Sequence, residues 1–462
     1  MAELDLNDIQ GNIIKGYRYP FARYTFVQFI NGDAGRELLQ ALTPHVTTSE
    51  QWAYDDAGQM IKPPWTLNIG FTHRGLAALD VPADSLVTFP IEFQEGMRAR
   101  ARTLGDDNAS DPRRWDLMWR DDRYDKVHAW IGMSALSAAD SDAATVWLRQ
   151  RIEAVRGVVE LGSQQAASFP GATEHFGFRD GISDPYVKGT PYPQGTRIGK
   201  ISEKGWEPLA AGEFLLGHAD EAQETATSVK PLSLARNGTF MVYRKLHQNV
   251  ASFREFLRLE GAKFGNPELL AAKLVGRWRD GTPLTLSPDC QNPATLSDNT
   301  FTYANDRDGE RCPLSSHIRR MNPRDGLGFN GVLTNRRRII RRGLPYGELI
   351  PPDSPGDDTG EHGVIFMALN ASIERQFEFV QNSWVNNGNS FGLGKDMCPI
   401  TGSHDGDGRF VIPGTKRDDG TVTPPYVVTG LPRFVETRGG DYFFLPSVTG
   451  LHILANRRVD MR

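Results

Sequence analysis

The feature that most constrains the fold is a pattern found in both halves of the chain, a β-like run followed closely by a helix-like segment. In the first half, β-branched and aromatic residues in loose alternation predict half-buried strands at residues 24–30, 66–72, 126–133 and 158–161. A helix-like segment lies within residues 139–156 and ends at Gly157, a residue type that closes helices in a left-handed conformation. This order of strands and helices is typical of an α+β architecture.

The second half repeats the same order of elements. Residues 238–246 (GTFMVYRKL) predict a strand, and the apolar residues that follow have the spacing of a helix that stops at Gly261. Residues 363–369 (GVIFMAL) predict a buried strand, followed by a helix that Asn370 could cap. The apolar face of this last helix consists of Ile373, Phe377, Val380 and Trp384.

The length of the chain, 462 residues, predicts more than one domain, because domains usually contain about 100–200 residues. Residues 181–236 are rich in proline and glycine and have little periodicity, which predicts a long ordered connection. We therefore predict an N-terminal domain at residues 1–180, this connection, and a C-terminal domain at residues 237–462. No glycine-rich phosphate loop follows a predicted strand, so a doubly wound nucleotide-binding fold is not indicated.

Composition and charge limit the partners of the chain. A formal net charge of −5 gives no basic surface of the kind that binds nucleic acid or anionic membranes. No segment has the ~18 consecutive apolar residues of a membrane span, and the first residues lack the pattern of a secretory signal. The three cysteines, Cys290, Cys312 and Cys398, form neither a disulfide framework nor a C-x-x-C metal motif. Together these features predict a cytoplasmic enzyme that acts on small molecules.

None of the ten histidines belongs to an H-E-x-x-H motif or another closely spaced zinc pattern. His317 differs from the others because Arg319, Arg320 and Arg324 follow it in CPLSSHIRRMNPR, residues 312–324. One neutral imidazole for the iron and cations for the two propionates are what haem requires. By itself, the same segment is equally typical of a solvated basic face.

Two further segments combine charge with an unusual backbone or environment. In GFRDG, residues 177–181, the glycines flanking Asp180 favour a tight backbone that directs a carboxylate into a cavity, although plain turns have the same composition. In RRRIIRRGLPYG, residues 336–347, two isoleucines bring Arg341 into apolar surroundings. A buried arginine needs an anionic partner, and the alternative is a basic surface strand.

At these motifs the sequence resembles the dye-decolorizing (DyP-type) peroxidase family. GFRDG, CPLSSHIRR and RRGLPYG match the patterns G-x-x-D-G, C-P-x-x-x-H-I-R and R-R-G-x-P-Y-G in the family's order. DLNDIQGNI, GEFLLGHADE and ASIERQFEFVQ agree as well, so the resemblance covers essentially the whole chain. It implies two ferredoxin-like α+β domains with antiparallel sheets and one haem b, held mainly by the C-terminal domain.

The resemblance also implies roles for individual residues. His317 corresponds to the proximal iron ligand, and Asp180 and Arg341 correspond to the distal catalytic pair. Arg324 is implied as a partner of a haem propionate, and Phe366 as a further haem-binding residue.

Three further positions follow from the same resemblance. A carboxylate usually holds the second nitrogen of a haem-ligating histidine, and Asp396 in GKDMCPITG is the candidate for this position. The segment departs from the more usual Asp-Pro-Ile pattern at Met397 and Cys398. Tyr346 and Trp384 are candidate electron relays, and ordinary core packing is the alternative for both.

The implied reaction is the oxidation of dyes, phenols and similar reductants by hydrogen peroxide. An ionised Asp180 beside Arg341 would accept a proton from peroxide and return it as water leaves. Two alternatives stay open at this point. One is a haem-binding carrier or an enzyme that releases iron from the porphyrin, and the other is a haem-free interaction module on the same scaffold.

Overall fold

The computed structural model describes residues 4–191, 198–203, 205–225, 227–415 and 419–459. The strands in these ranges are β1 Phe21–Phe29, β2 Trp65–Phe71, β3 Ala129–Ala135, β4 Val158–Ala167, β5 Lys200–Ser202, β6 Gly205–Glu207, β7 Thr239–Gln248, β8 Ile340–Arg341, β9 Leu344–Tyr346, β10 Gly363–Asn370, β11 Gly408–Ile412, β12 Tyr426–Leu431 and β13 Val435–Leu445. The α-helices are α1 Gly11–Ile14, α2 Gly32–Leu42, α3 His73–Ala78, α4 Ala83–Leu86, α5 Ile91–Glu95, α6 Ala101–Leu104, α7 Asp121–Tyr124, α8 Ala138–Ala154, α9 Leu232–Ala235, α10 Val250–Phe264, α11 Pro267–Val275, α12 His317–Met321, α13 Val332–Asn335 and α14 Val448–Ala455. Two π-helical segments, Glu374–Glu378 and Val380–Val385, lie between β10 and β11.

The strands of the two halves form one sheet in the order β4-β1-β3-β2-β13-β7-β10-β8, and β9 pairs with β10 beside β8. The first half contributes β4-β1-β3-β2, and the second half repeats this antiparallel order as β13-β7-β10-β8. Helices α2 and α8 connect the strands of the first half, and α10, α11 and the π-helical segments connect those of the second. Each half is therefore a ferredoxin-like unit, and the predicted α+β class is confirmed.

The two units are continuous with each other because β2 pairs with β13 through Phe71 and Phe444. The short hairpin β5–β6 lies in the predicted connection, part of which falls outside the described residues. Since one sheet spans both halves, the domain boundaries at residues 180 and 236 stay a prediction.

The main hydrophobic core lies where the two units face each other. Phe26 on β1 contacts Tyr243 on β7, with ring centroids 5.2 Å apart, and Trp119, with centroids 4.8 Å apart. All three side chains are almost completely buried. Aromatic pairs of this kind contribute packing energy beyond their buried area, and they hold the second unit, which carries most of the cavity described below, against the first.

The structure differs from the sequence predictions at two helix boundaries. Helix α10 continues through Gly261 and ends at the left-handed Gly265. A Cβ at position 261 would lie 2.6 Å from Cα of Pro267, so this glycine permits close packing of α11 and does not stop α10. Asn370 does not cap a helix: it is the last residue of β10, and its side-chain amide donates to the carbonyl of Phe240.

Strand β13 was not predicted, although it is central to the sheet. Its sequence, VETRGGDYFFL, mixes charged residues and glycines with aromatic ones, and such a run lacks the alternation that marks a strand. Within the described ranges, no helix has the length and apolar character needed to cross a bilayer.

Candidate functional site

A cavity of about 360 Å³ is lined mostly by the second half of the chain, and residues from 105–110 and 174–185 complete its wall. Asp180, His317, Arg324, Arg341 and Phe366, which are far apart in sequence, all line it. The rest of its wall is largely apolar and includes Phe178, Ile182, Val275, Ile318, Met321, Ile339, Val364, Phe377, Val380 and Ile400. Its size, and a wall that combines apolar side chains with polar and charged ones, fit a small-molecule or cofactor site.

The backbone around Asp180 has the tight conformation that its flanking glycines predict. Gly177 and Gly181 have φ angles of 89° and 69°, in the region that residues with a Cβ rarely adopt. The N–H of Asp180 donates to the carbonyl of Ala172 at 2.8 Å, and the N–H of Gly181 donates to Oδ1 of Asp180 at 2.7 Å. These bonds hold the carboxylate toward the cavity.

Arg341 reaches the same cavity from β8. Ile340 and Arg341 pair with Leu369 and Ala368 of β10, so that Ile340 enters the core while Arg341 faces the cavity. Gly343 lets this segment approach β10, because a Cβ there would lie 1.9 Å from the carbonyl oxygen of Ile365. The segment is therefore a short paired strand beside the cavity, as opposed to the alternative of a basic surface strand.

Asp180 and Arg341 form an ion pair, with Oδ1 and Nη1 2.8 Å apart. Their side chains are 46% and 40% exposed, and this exposed surface belongs to the cavity that both line. Burial acts to raise the pKa of Asp180, but the charge and hydrogen bond of Arg341 outweigh it, so the pKa lies below the usual aspartate value. The ion pair in turn raises the pKa of Arg341. Asp180 is therefore an ionised carboxylate that can accept a proton.

His317 enters the cavity from the first position of α12. Arg320, one turn later, is fully buried and donates to the carbonyls of Trp384 and Asp396, both at 2.6 Å. Charged hydrogen bonds of this kind are among the stronger ones in proteins. They attach the histidine-bearing helix to residues 384–396 and fix its position.

The imidazole of His317 is held from behind by a sulfur atom. Its Nδ1 lies 3.3 Å from Sγ of Cys398, and the hydroxyl of Thr401 donates to the same Sγ at 3.3 Å. Burial acts to raise the pKa of the Cys398 thiol, but His317 and Thr401 lower it to about 6. In the part of the chain that the structure describes, Nε2 of His317 has no hydrogen-bond partner, so this nitrogen is free to bind a ligand in the cavity.

Three buried arginines surround one side of the cavity without a carboxylate to neutralise them. Arg277, Arg324 and Arg338 line the cavity, and among the described residues none of them forms an ion pair. Burial and the nearby charge of Arg324 lower the pKa of Arg277 to about 10 and that of Arg338 to about 9. Buried like charges are costly unless an anion joins them, so this wall favours an anionic ligand.

Two family models match the chain, one in each half. Residues 8–163 match the family model described as "DyP dimeric alpha+beta barrel domain", and residues 218–404 match the one described as "Dyp-type peroxidase, C-terminal". The chain belongs to the DyP-type peroxidase family. It is therefore an enzyme with peroxidase activity on dyes.

Relatives of the DyP-type family match the chain over nearly its whole length. The dye-decolorizing peroxidase msp1 of Mycetinis scorodonius is 31% identical and aligns with 97% of this chain and 87% of its own. The multifunctional dye peroxidase of an Amycolatopsis species is 29% identical, with coverages of 97% and 96%. The structure of an ancestral D-type dye decolorizing peroxidase superposes with a TM-score of 0.80 at 30% identity, covering 98% of this chain and 99% of the other.

Asp396, the carboxylate expected behind the DyP-type histidine, is not in contact with His317. Its Oδ1 accepts from Nε of Arg409 at 2.7 Å, and its backbone carbonyl accepts from Arg320. The prediction that Asp396 holds His317 is therefore wrong, and Cys398 occupies that place. Two residues along an irregular segment are enough to turn a side chain in a different direction.

The arginines after His317 also separate into different environments. Arg319 pairs with Asp306 at 3.1 Å and Arg320 bonds to backbone carbonyls, so both belong to the protein interior. Arg324 alone of the three faces the cavity, where it donates to the carbonyls of Asn299 and Phe301, both at 2.6 Å. Only this one can meet a ligand there.

The two candidate relays differ in their surroundings. Tyr346 borders a surface recess together with Arg23, Gln164 and Glu361. It is also in β9, next to the cavity-lining strand β10. Trp384 is 2% exposed and packs against Phe379 and Phe391 in the core.

Sequence reasoning missed three residues of the site. Cys398 was noted only as a departure from a pattern, and a cysteine followed by Pro-Ile in place of the expected aspartate was the available signal. Arg338 lies in the arginine run before Arg341, where nothing separates it from its surface neighbours. Arg277, in GRWRDG, carries no signal at all.

Proposed function

We propose that this DyP-type peroxidase binds one haem b in the cavity and uses hydrogen peroxide to oxidise dyes, phenols and similar reductants. The observation that carries the proposal is the arrangement of an imidazole and an Asp–Arg pair, from three separate segments, around one cavity. His317 is the proposed iron ligand, and Asp180 and Arg341 are the proposed catalytic pair.

The residues of the cavity fit haem in three respects. Apolar side chains, including Phe366 and Phe377, suit the porphyrin faces. Arg324, Arg338 and Arg277 suit the propionates, because these cations have no carboxylate partner among the described residues. Within the same ranges no cluster of three or more His, Cys, Asp or Glu side chains could hold a bare metal ion, so His317 would act through a cofactor.

Haem iron would supply the redox chemistry, and the chain's own residues would handle the proton. Asp180, ionised and hydrogen-bonded to Arg341, is suited to accept a proton from one oxygen of hydrogen peroxide and return it to the other, which leaves as water. The guanidinium of Arg341 would stabilise negative charge that develops on the departing oxygen. The pair is preorganised, since its hydrogen bond exists before any substrate arrives.

Bulky reductants would be oxidised at the surface, because haem would occupy the cavity that Asp180 and Arg341 line. Tyr346 and Trp384 are both 2% exposed, so burial does not separate them as relays. Tyr346 is the better candidate because it borders a surface recess, whereas Trp384 packs against Phe379 and Phe391. A related structure, 26% identical with a TM-score of 0.78, is described as a DyP complex with 2,6-dimethoxyphenol. This complex supports phenols as one class of reductant.

The decisive experiment is an absorption spectrum of the purified protein supplied with haem, before and after one equivalent of hydrogen peroxide. We expect a Soret band from histidine-ligated haem, a rapid spectral change on addition of peroxide, and return to the starting spectrum when a phenol or an anthraquinone dye is added. Binding followed only by slow bleaching, or by release of iron, would favour the carrier or iron-releasing alternative. No Soret band would favour the haem-free module.

The electrostatics of Asp180 predict how activity depends on pH. Because Arg341 holds the pKa of Asp180 below its usual value, the ionised base persists to acid pH, and activity is lost only as the pH falls through that lowered pKa. In Arg341→Leu, burial remains and the opposing charge is gone, so the pKa rises. We expect the acidic limb of the pH–rate profile of peroxide activation to move to higher pH. Stopped-flow measurements across the acidic range test this.

The control for this profile is Arg409→Leu, which removes the Arg409–Asp396 ion pair outside the cavity. Its acidic limb should coincide with that of the unmodified enzyme. An Arg341→Leu profile with an unchanged acidic limb would contradict the assignment of Asp180 as the titrating base.

A further inference from the structure

We propose that Cys398 is a positioning residue for His317, and that its sulfur takes the part played by a carboxylate in most haem-ligating histidine pairs. The inference rests on the proposed function, since it concerns how His317 would donate to haem iron. It goes further in two ways. The acceptor of the hydrogen on Nδ1 is a sulfur atom, and this acceptor shifts the reduction potential of the haem iron in a stated direction.

The geometry supports a hydrogen bond between the two side chains. Sγ of Cys398 is 3.3 Å from Nδ1 of His317, and the Cys398 side chain is 0% exposed. Thr401 donates its hydroxyl to the same sulfur at 3.3 Å. If Nε2 of His317 is the iron-binding nitrogen, Nδ1 carries the proton, and the buried sulfur then accepts from both Nδ1 and Thr401.

The backbone of Cys398 is held just as firmly as its side chain. Its N–H donates to the carbonyl of Val385 at 2.7 Å, and its carbonyl accepts from the N–H of Gly402 at 2.9 Å and from Nε2 of His404 at 2.8 Å. These backbone bonds fix the position of Cys398 and the direction of its side chain without any contribution from His317. The sulfur can therefore orient the imidazole ring.

No carboxylate shares this role within the described ranges. Asp396, two residues earlier, is turned toward Arg409. Three described carboxylates line the cavity with His317, and each is bonded elsewhere: Asp106 to Arg244, Glu174 to Gln248 and Asp180 to Arg341. The sulfur is also not a rival ligand: His317 lines the cavity, whereas Cys398 lies behind the imidazole. The imidazole therefore lies between the sulfur and the cavity.

Replacing a carboxylate by sulfur changes the strength of the histidine as a donor. A carboxylate that accepts the second N–H of a ligating histidine raises the basicity of the imidazole. At 3.3 Å, the contact of Nδ1 with Sγ is longer than the ~2.7–2.9 Å of a charge-assisted bond to a carboxylate oxygen, and we take it as the weaker hydrogen bond. The hydrogen bonds of an axial ligand are one of the means by which proteins set haem potentials. The iron of this enzyme should therefore be easier to reduce than with a carboxylate at position 398.

The test compares haem-loaded wild type with Cys398→Asp by spectroelectrochemistry and by resonance Raman spectroscopy of the reduced form. We expect Cys398→Asp to shift the equilibrium between oxidised and reduced iron toward the oxidised form at least tenfold, equivalent to about 59 mV for one electron. The iron–imidazole stretching frequency should rise in the same variant. Cys290→Asp is the matched control, because Cys290 is exposed and far along the chain, and it should change neither value.

A second variant keeps the proposal testable if Cys398→Asp does not fold. Cys398→Ala removes the acceptor without adding charge, and we expect a lower iron–imidazole frequency and a higher potential than in wild type. Equal potentials and frequencies in wild type and in the folded Cys398 variants, with haem bound in each, would overturn this inference alone. Failure of wild type to bind haem would instead overturn the proposed function and this inference together.

Discussion

Asp180→Asn is expected to bind haem normally and to react with hydrogen peroxide roughly 10²–10⁴-fold more slowly than wild type, the usual contribution of a general base. The amide is nearly isosteric with the carboxylate and keeps an oxygen that can accept from Nη1 of Arg341, which lies 2.8 Å from Oδ1 of Asp180 in the unmodified protein. What it cannot do is accept and return a proton. Stopped-flow measurement of the spectral change after peroxide addition gives the rate directly.

Asp184→Asn is the matched control for this variant. Asp184 also pairs with an arginine, Arg342, at 3.1 Å, but it does not line the cavity. It should activate peroxide at the rate of wild type. If Asp180→Asn activates peroxide at the wild-type rate, Asp180 is not the base, and the catalytic role belongs to Arg341 alone.

His317→Ala should abolish the histidine-ligated haem spectrum. Loss of a partner behind a metal ligand typically costs about 10–100-fold in affinity, and loss of the ligand itself should cost more. The apolar wall and the arginines remain, so any haem that still associates should show a different Soret band and no fast reaction with peroxide. Titration of the purified variant with haem, followed by its absorption, measures this.

Two observations separate a lost ligand from a lost fold in that experiment. Added imidazole should partly restore the wild-type spectrum of His317→Ala, because the space left by the side chain opens onto the cavity. His452→Ala, which removes an exposed histidine of α14, should bind haem as wild type does. A native-like spectrum in His317→Ala without imidazole would show that another residue is the ligand.

A sulfur atom behind His317 is a point at which this site departs from the family pattern that the three motifs follow. Asp180, Arg341 and His317 lie where the motifs GFRDG, RRGLPYG and CPLSSHIRR lead one to expect them, around one cavity. The group behind the imidazole is different in kind. The proposed proton-transfer pair and the proposed iron ligand lie on separate segments of the chain.

The strand and helix patterns predicted most of the ferredoxin-like elements, because hydrophobic periodicity depends on local neighbours. Five predicted strands correspond to β1, β2, β3, β7 and β10 within a few residues at either end, and the prediction at residues 158–161 covers only the first part of β4. Strand β13 could not be predicted from its sequence, because its pairing with β2 and β7 compensates for an unfavourable local sequence. Tertiary context overrides local preference in strands more readily than in helices.

By itself, the sequence determined the α+β class, the family, and the segments that carry Asp180, His317 and Arg341. Each of these depends on residue types at fixed spacing, which a linear chain records directly. Only the tertiary structure decided that Arg277 and Arg338 join Arg324 at the cavity, and that Cys398, not Asp396, contacts His317. The reason is physical: which of two nearby side chains reaches a third residue depends on the direction of the backbone in an irregular segment. Packing against distant parts of the chain sets that direction.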